Sequence, residues 1–511
     1  MGSFYLTTPI YYASGEPHLG HAYTTILADV LARYHRRAGD DVLFLTGTDE
    51  HGQKIQEAAA EHGLTPLELC DRMVDRFKAA WVELGISNDR FIRTTEPEHI
   101  AVVGALLERL YDNGFIYEAE YTGWYSVGQE RYFTEKEIGP DRVDPIAGGP
   151  VTRIREKNWF FRMSLFRDRL VEHIEKNPEW IVPATRRNEV LGFLSQGLGD
   201  LSISRPRSRI HWGIPIPWDP DQVTYVWVDA LTNYVTAAGA VDPEAPRDRR
   251  GFGDPLPSRW PADVHLMGKD IITTHAVYWP TLLMGADLAL PRKILAHGWW
   301  VVGDTKMSKS LGNVVDPLDL RERYGPEAVR WYLMREMATG QDASYTPERF
   351  LTRYDELRNI FGNLAHRTLS MIRRYRDGTV PAAPADGLAD ETAAAVGAYR
   401  RGLDGYRLHE GFAAAMDLAR TANGFVETQE PWALARRPDA AAELDHTLAT
   451  LAHTLAVLAC LFEPVTPEKA AELATRLGIG GIPLFDELDR LNLAGNVVSV
   501  GAPLFPRVDP D

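Results

Sequence analysis

At 511 residues the chain is too long for one ordinary hydrophobic core, so two to four structural units are expected, and with 45% hydrophobic and 25% charged residues its composition is that of a folded globular protein, not a disordered chain. The formal net charge of −16 excludes sequence-blind attraction to nucleic acid, so a nucleic-acid partner would need a local basic surface. With only Cys70 and Cys460 a disulfide framework and a multi-cysteine zinc knuckle are excluded, and without a basic-then-apolar leader or a long apolar span the expected address is the cytoplasm, with no membrane partner.

Residues 4–10 read as a short apolar strand, followed by a Gly/Pro turn at 14–17 and a helix with Tyr23, Leu27, Val30 and Tyr34 on one face. Another apolar run, 42–45, ends in the polar TGTDEHGQ, as expected of a parallel strand whose carboxyl end opens onto a ligand crevice. Segments 64–84 and 96–113 have helical periodicity, and 118–150 reads as an inserted, extended module. Strand-like runs resume at 223–228, 264–267 and 294–302, so one α/β domain is split in sequence. Beyond about residue 348 long helical segments follow, 349–376, 391–435 and 440–462, with a loop-rich end. In 353–376, Arg353, Arg358, Arg367, Arg373, Arg374 and Arg376 outnumber Asp355 and Glu356 and form the candidate basic surface.

Two short motifs carry chemistry. His18-Leu19-Gly20-His21 stands where a strand gives way to a helix N-terminus, a site of unpaired backbone N–H groups that favours an anion; Gly20 permits close approach, and His18 and His21 can donate to phosphate oxygens. Lys306-Met307-Ser308-Lys309-Ser310 lies in a polar loop, where a lysine can meet negative charge that builds up on phosphate oxygens, Lys309 being the first choice.

HLGH, KMSKS and the split α/β pattern together resemble the class I aminoacyl-tRNA synthetases, whose hallmark motifs read HIGH and KMSKS. More narrowly, TTPIYYASGEPHLGHAYTTILADVLARYHR, FLTGTDEHGQKI, WGIPIP, VTYVWVDALTNY, VHLMGKDIITTHAVYWP and AHGWWVVGDTKMSKSLGNVVDP are similar to the methionyl-tRNA synthetase family, and the resemblance spans essentially the whole chain. It implies a doubly wound, Rossmann-like α/β catalytic domain (1–117 and 201–300) split by a connective insertion (118–200), a KMSKS segment (301–348) and an α-helical anticodon-binding bundle with a C-terminal tail (349–511). It also implies activation of L-methionine with Mg-ATP as substrate and transfer to tRNA(Met).

Residue by residue, the resemblance assigns a methionine pocket to Ile10, Tyr12, Asp49, Trp227, Ala230, Leu231, Tyr234, Ile271, His275 and Trp279. ATP contacts fall on His18, Gly20, His21, Asp270, Lys306 and Lys309, with His18, His21 and Lys309 catalytic. Asn363, Arg367 and Trp432 match the family's anticodon readers, through base stacking and edge recognition.

Three departures stand out. Many relatives carry cysteine knuckles in the insertion, whereas 121–158 holds no cysteine and no histidine, so no structural zinc is expected there and Trp124, Tyr125, Tyr132, Phe133, Trp159 and Phe160 are expected to form a small core instead. Thr274 stands where relatives commonly place an aromatic residue. The chain ends at APLFPRV without an appended tRNA-binding dimerisation domain, which implies a monomer. A synthetase for another apolar amino acid, a noncatalytic RNA-binding paralogue and a ligase for a small acceptor remain as alternatives.

Overall fold

The computed structural model describes residues 2–126, 131–133, 138, 142–144, 149–242, 244, 259–302, 305–306 and 315–508. The chain begins with β1 (Ser3–Thr7), β2 (Tyr11–Tyr12), α1 (Leu19–Arg37) and β3 (Asp41–Asp49), then α2 (Gln53–Glu61), α3 (Pro66–Glu83), β4 (Arg90–Arg93) and α4 (Pro97–Asp112). β1 is buried on both faces after its first residue, as a parallel central strand requires. On α1, Leu19, Tyr23, Ile26, Leu27, Val30 and Tyr34 follow the helical repeat and are buried, packing the helix between the sheet and the C-terminal bundle.

All pairings in the central sheet are parallel. β3 carries β1, continued by β2, along one side and β4 on the other; the sheet continues from β1 through Val264–Gly268 and Ile294–His297 to Ile181–Val182. The winding therefore reverses between β1 and Val264–Gly268, and a crevice opens at the carboxyl ends of those strands.

The insertion is built on an antiparallel ribbon, β5 (Ile116–Ser126) against β7 (Thr152–Phe161), with β6 (Arg131–Phe133) on the outer edge. Its extent differs from the sequence-based expectation, because Ile181–Val182, placed in the 118–200 insertion, forms an edge of the central sheet through pairing with Ile294 and Leu295. Nor do its aromatic residues form one core: Trp124 and Phe133 pack with Ile138, Tyr125 and Tyr132 flank the Arg205 guanidinium, and Trp159 turns to Tyr111 and Trp218. The run 223–228 also resolves differently, as a strand, Asp219–Thr224, and a helix, Val226–Ala237; the β-branched and aromatic residues of VTYVWV favour a strand locally, but Trp227, Ala230, Leu231 and Tyr234 recur with helical spacing.

The last third is helical: Pro347–Glu356, Asn363–Tyr375, Ala389–Asp404, Leu408–Gln429, Ala441–Phe462 and Pro467–Arg476. Segment Pro438–Phe462 is long and apolar enough to cross a membrane by composition alone, but 83% of its apolar window is buried, as befits the bundle's core helix. Much of the expected basic surface is neutralised by partners distant in sequence, Arg353 by Glu336, Arg367 by Glu427 and Arg376 by Asp445.

Candidate active site

The N-terminus of α1 is closed by its own histidines. His18 is the N-cap, and its Nδ1 accepts from the Gly20 N–H at 3.1 Å, while His21 Nδ1 accepts from the His18 N–H at 3.4 Å. Because backbone amides can only donate, both neutral rings carry their hydrogen on Nε2. The rings stack with centroids 3.7 Å apart, so two N–H donors and a helix N-terminus are gathered in one place. Gly20 is needed by this cap, since a Cβ there would lie 2.9 Å from His18 Cε1.

Beside the cap a cavity of about 260 Å³ opens at the topological reversal. Ile10, Tyr12, His18, Gly20, His21, Asp49, Trp227, Ala230, Leu231, Tyr234, Asp270, Ile271 and His275 line it, so residues from five separate stretches of sequence meet there. Trp279 is the exception among the expected pocket residues: it is fully buried one layer behind, edge-on to Tyr234, and its Nε1 donates to His265 Nε2 at 3.2 Å.

Asp49, at the carboxyl end of β3, is only 4% exposed and supplies negative charge to one part of the cavity. Opposite it, His275 Nδ1 lies 2.9 Å from the Ile271 carbonyl, to which it donates, which leaves Nε2 to accept from the Tyr234 hydroxyl at 2.8 Å. Burial pushes the His275 imidazole down to about 4, so it is neutral at physiological pH, and burial raises the Tyr234 phenol, so it stays a donor. Thr274 Oγ1 donates to the Ile271 carbonyl at 2.8 Å and lies 3.1 Å from His275 Nδ1, adding a second polar contact that orients the ring.

At the other end of the cavity the exposed Asp270 follows the strand Val264–Gly268 and accepts from Trp299 Nε1 at 3.1 Å. Thr24, His297 and Trp299 also line the cavity, and sequence reading missed them. His297 Nε2 is 2.8 Å from Thr24 Oγ1, and its Nδ1 donates to the Gly298 carbonyl at 2.7 Å; burial lowers its pKa. The available signal was the polar AHGWW immediately after a strand.

Lys309 lies outside the described residues, and of Lys306 only its backbone place in the short strand Thr305–Lys306 is described. In the bundle, Asn363 is exposed at the start of Asn363–Tyr375, and Arg367 on the next turn donates to Glu427 at 2.7 Å. The helix bearing Glu427 ends at Glu430, whose φ of 43° turns the chain into Pro431–Leu434 with Trp432 half-buried against the bundle.

An acidic group beside an aromatic and aliphatic wall, next to a helix N-terminus with paired N–H donors, can hold an amino acid against a phosphate-bearing ligand. The family model for tRNA synthetases class I (M) matches residues 4–141 and 145–369. The methionine–tRNA ligase of Halalkalibacterium halodurans is 41% identical over 99% of this chain and 78% of its own length, and that of Bacillus subtilis 42% over 100% and 78%. The structure of Mycobacterium tuberculosis methionyl-tRNA synthetase in complex with methionyl-adenylate superposes with a TM-score of 0.91 at 41% identity, covering 99% of this chain and 100% of that one. The fold, the cavity and these likenesses agree, and the chain belongs to the class I (M) tRNA synthetases, the methionyl-tRNA synthetase family.

Proposed function

We propose that the protein is a methionine–tRNA ligase that activates L-methionine with ATP to methionyl-adenylate and transfers the methionyl group to the 3′-terminal adenosine of tRNA(Met). The observation that carries this reading is the cavity in which Asp49, the Trp227–Tyr234 helix face and the His18–His21 cap converge. Asp49 holds the substrate ammonium; Ile10, Tyr12, Trp227, Ala230, Leu231, Ile271 and His275 enclose the thioether, with sulfur–aromatic contact to the indole.

In the first step a methionine carboxylate oxygen attacks the α-phosphorus of Mg-ATP, the bond to the bridging oxygen breaks, and pyrophosphate leaves with its electron pair. The Nε2 hydrogens of His18 and His21, the α1 N-terminus and Lys309, with Lys306 on the phosphates, meet the growing negative charge. Asp270 accepts from ribose hydroxyls. In the second step a ribose hydroxyl of the terminal adenosine attacks the mixed anhydride and AMP leaves. No covalent enzyme intermediate is needed; positioning supplies the rate.

Asn363, Arg367 and Trp432 read the anticodon by stacking and edge contacts on unstacked bases, with Glu427 holding Arg367 until RNA displaces it. The protein works as a cytoplasmic monomer without structural zinc, because 121–158 offers no nitrogen or sulfur ligand from histidine or cysteine. Charging of unfractionated tRNA with labelled methionine tests the reading. Label esterified to tRNA(Met) supports it, and absence of charging in the presence of active adenylate formation moves the protein to a small-acceptor ligase.

A further inference from the structure

Asp229 lies on the helix Val226–Ala237 but does not line the cavity. Trp227, Ala230, Leu231 and Tyr234 face the cavity, whereas Asp229 and Thr236, seven residues apart, share the opposite face. There the Asp229 carboxylate, 1% exposed, is gripped from two sides: His51 Nδ1 is 2.7 Å from Oδ2 and His99 Nε2 is 2.8 Å from Oδ1. His99, fully buried on α4, also places Nδ1 3.2 Å from Thr236 Oγ1.

His51 follows Asp49 by two residues, and the backbone between them is pinned. The buried Glu50 carboxylate takes Arg93 Nε at 2.7 Å, Thr48 Oγ1 at 2.6 Å and Thr95 Oγ1 at 2.7 Å, and the Glu50 carbonyl accepts from Trp212 Nε1 at 2.5 Å. The strand end bearing Asp49 is therefore rigid, and the polar bridge from it to the helix bearing Trp227 runs through His51 and Asp229. A buried carboxylate has a desolvation cost that an apolar side chain would avoid; what it supplies in return is direction, because both its oxygens fix the helix relative to two other elements.

Resting on the assignment of methionine activation, we propose that Asp229, held by His51 and His99, is a positioning residue that sets the spacing between the Asp49 carboxylate and the Trp227 wall, and thereby the discrimination among unbranched amino acids. One extra methylene in an apolar pocket is discriminated roughly 10–200-fold, and a site loosened on the ångström scale loses that margin first.

The test is ATP–pyrophosphate exchange by the full chain, titrating methionine, its one-methylene-longer homologue ethionine, and ATP, for wild type, Asp229→Asn, His51→Asn and His99→Gln. In Asp229→Asn the methionine KM is expected to rise about 10–100-fold, with kcat and the ATP KM within about twofold and the methionine-over-ethionine preference cut at least about fivefold. His51→Asn and His99→Gln move the same quantities the same way by less, and they decide the matter if Asp229→Asn does not fold. Folded variants with unchanged methionine KM and preference would overturn the proposal, as would a loss shared by kcat and both KM values, the mark of a merely structural role. Wild-type protein without methionine-dependent exchange would instead overturn the assignment on which the proposal rests.

Discussion

Asp29 Oδ2 and Arg330 Nη2 stand 2.6 Å apart with both side chains fully buried, pairing α1 with the helix Pro326–Glu336. Arg330 also donates to the carbonyls of Val465 at 3.0 Å and Pro464 at 2.8 Å, and Asp29 accepts from Arg33 Nε at 2.8 Å and from the Ser87 amide at 2.6 Å. The helix that begins at the His18–His21 cap is thus clasped at its middle, through Asp29 and Arg330, to the Pro464 and Val465 carbonyls of the C-terminal bundle.

Removing one partner of such a pair leaves the other charge buried without full compensation. Arg330→Met is expected to lower the unfolding free energy by about 3–5 kcal/mol, and the double variant Asp29→Asn with Arg330→Met to lose less than the single. Urea denaturation followed by far-UV circular dichroism measures both; a single-variant loss under about 1 kcal/mol would contradict the role given to the clasp.

The neighbouring Glu327 gives the same seam a pH dependence. Burial raises its carboxyl from 4.5 to about 7 although the Lys469 N–H donates to it at 3.0 Å. The folded state therefore binds the proton more tightly than the unfolded state, so this contribution to stability is full below 4.5 and is lost as pH rises through about 7. Glu327→Gln should flatten stability across that window and leave the variant more stable than wild type at neutral pH, read from thermal midpoints in a pH series. A parallel decline in both proteins would refute the assignment.

For His275 the sign is opposite. Its folded pKa is depressed from 6.5 to about 4, so its neutral form contributes stability that is present above 6.5 and lost as pH falls toward about 4. Methionine affinity, followed through indole fluorescence, is expected to stay level from neutral pH down past 6.5 and to weaken only as about 4 is approached. A midpoint near 6.5 would mean a solvated imidazole and a different pocket.

Gly20 separates catalysis from stability. A Cβ at this position meets His18 Cε1 at 2.9 Å and Nδ1 at 3.1 Å, so Gly20→Ala displaces the capping ring. Exchange should fall about 100-fold, while the helix gains up to about 1 kcal/mol of intrinsic propensity and the unfolding free energy hardly changes. Full exchange activity in the variant would show that the cap geometry is not used.

Much of this was legible in sequence where the signal is local. The strand–turn–helix around HLGH and the polar end of β3 at Asp49 each depend on residues a few positions apart, and local pattern reports such features directly, whereas the run 223–228 reads as a strand and all but its first two residues lie outside one, with Val226 opening a helix. What sequence could not supply were meetings across the chain: His297 with Thr24, Trp299 with Asp270, Arg367 with Glu427, and His51 and His99 with Asp229. Trp279 shows the same limit, because helical spacing from His275 gives a shared face but not its depth, and the indole ends one layer behind the cavity.

The most direct measurement of the central claim is ATP–pyrophosphate exchange by the EDTA-treated, Mg-restored protein across the amino acids, with Lys309→Ala beside it. Exchange with methionine alone, and its loss in the variant, is the predicted result; no exchange with any amino acid would contradict the account and leave an RNA-binding protein on a synthetase fold.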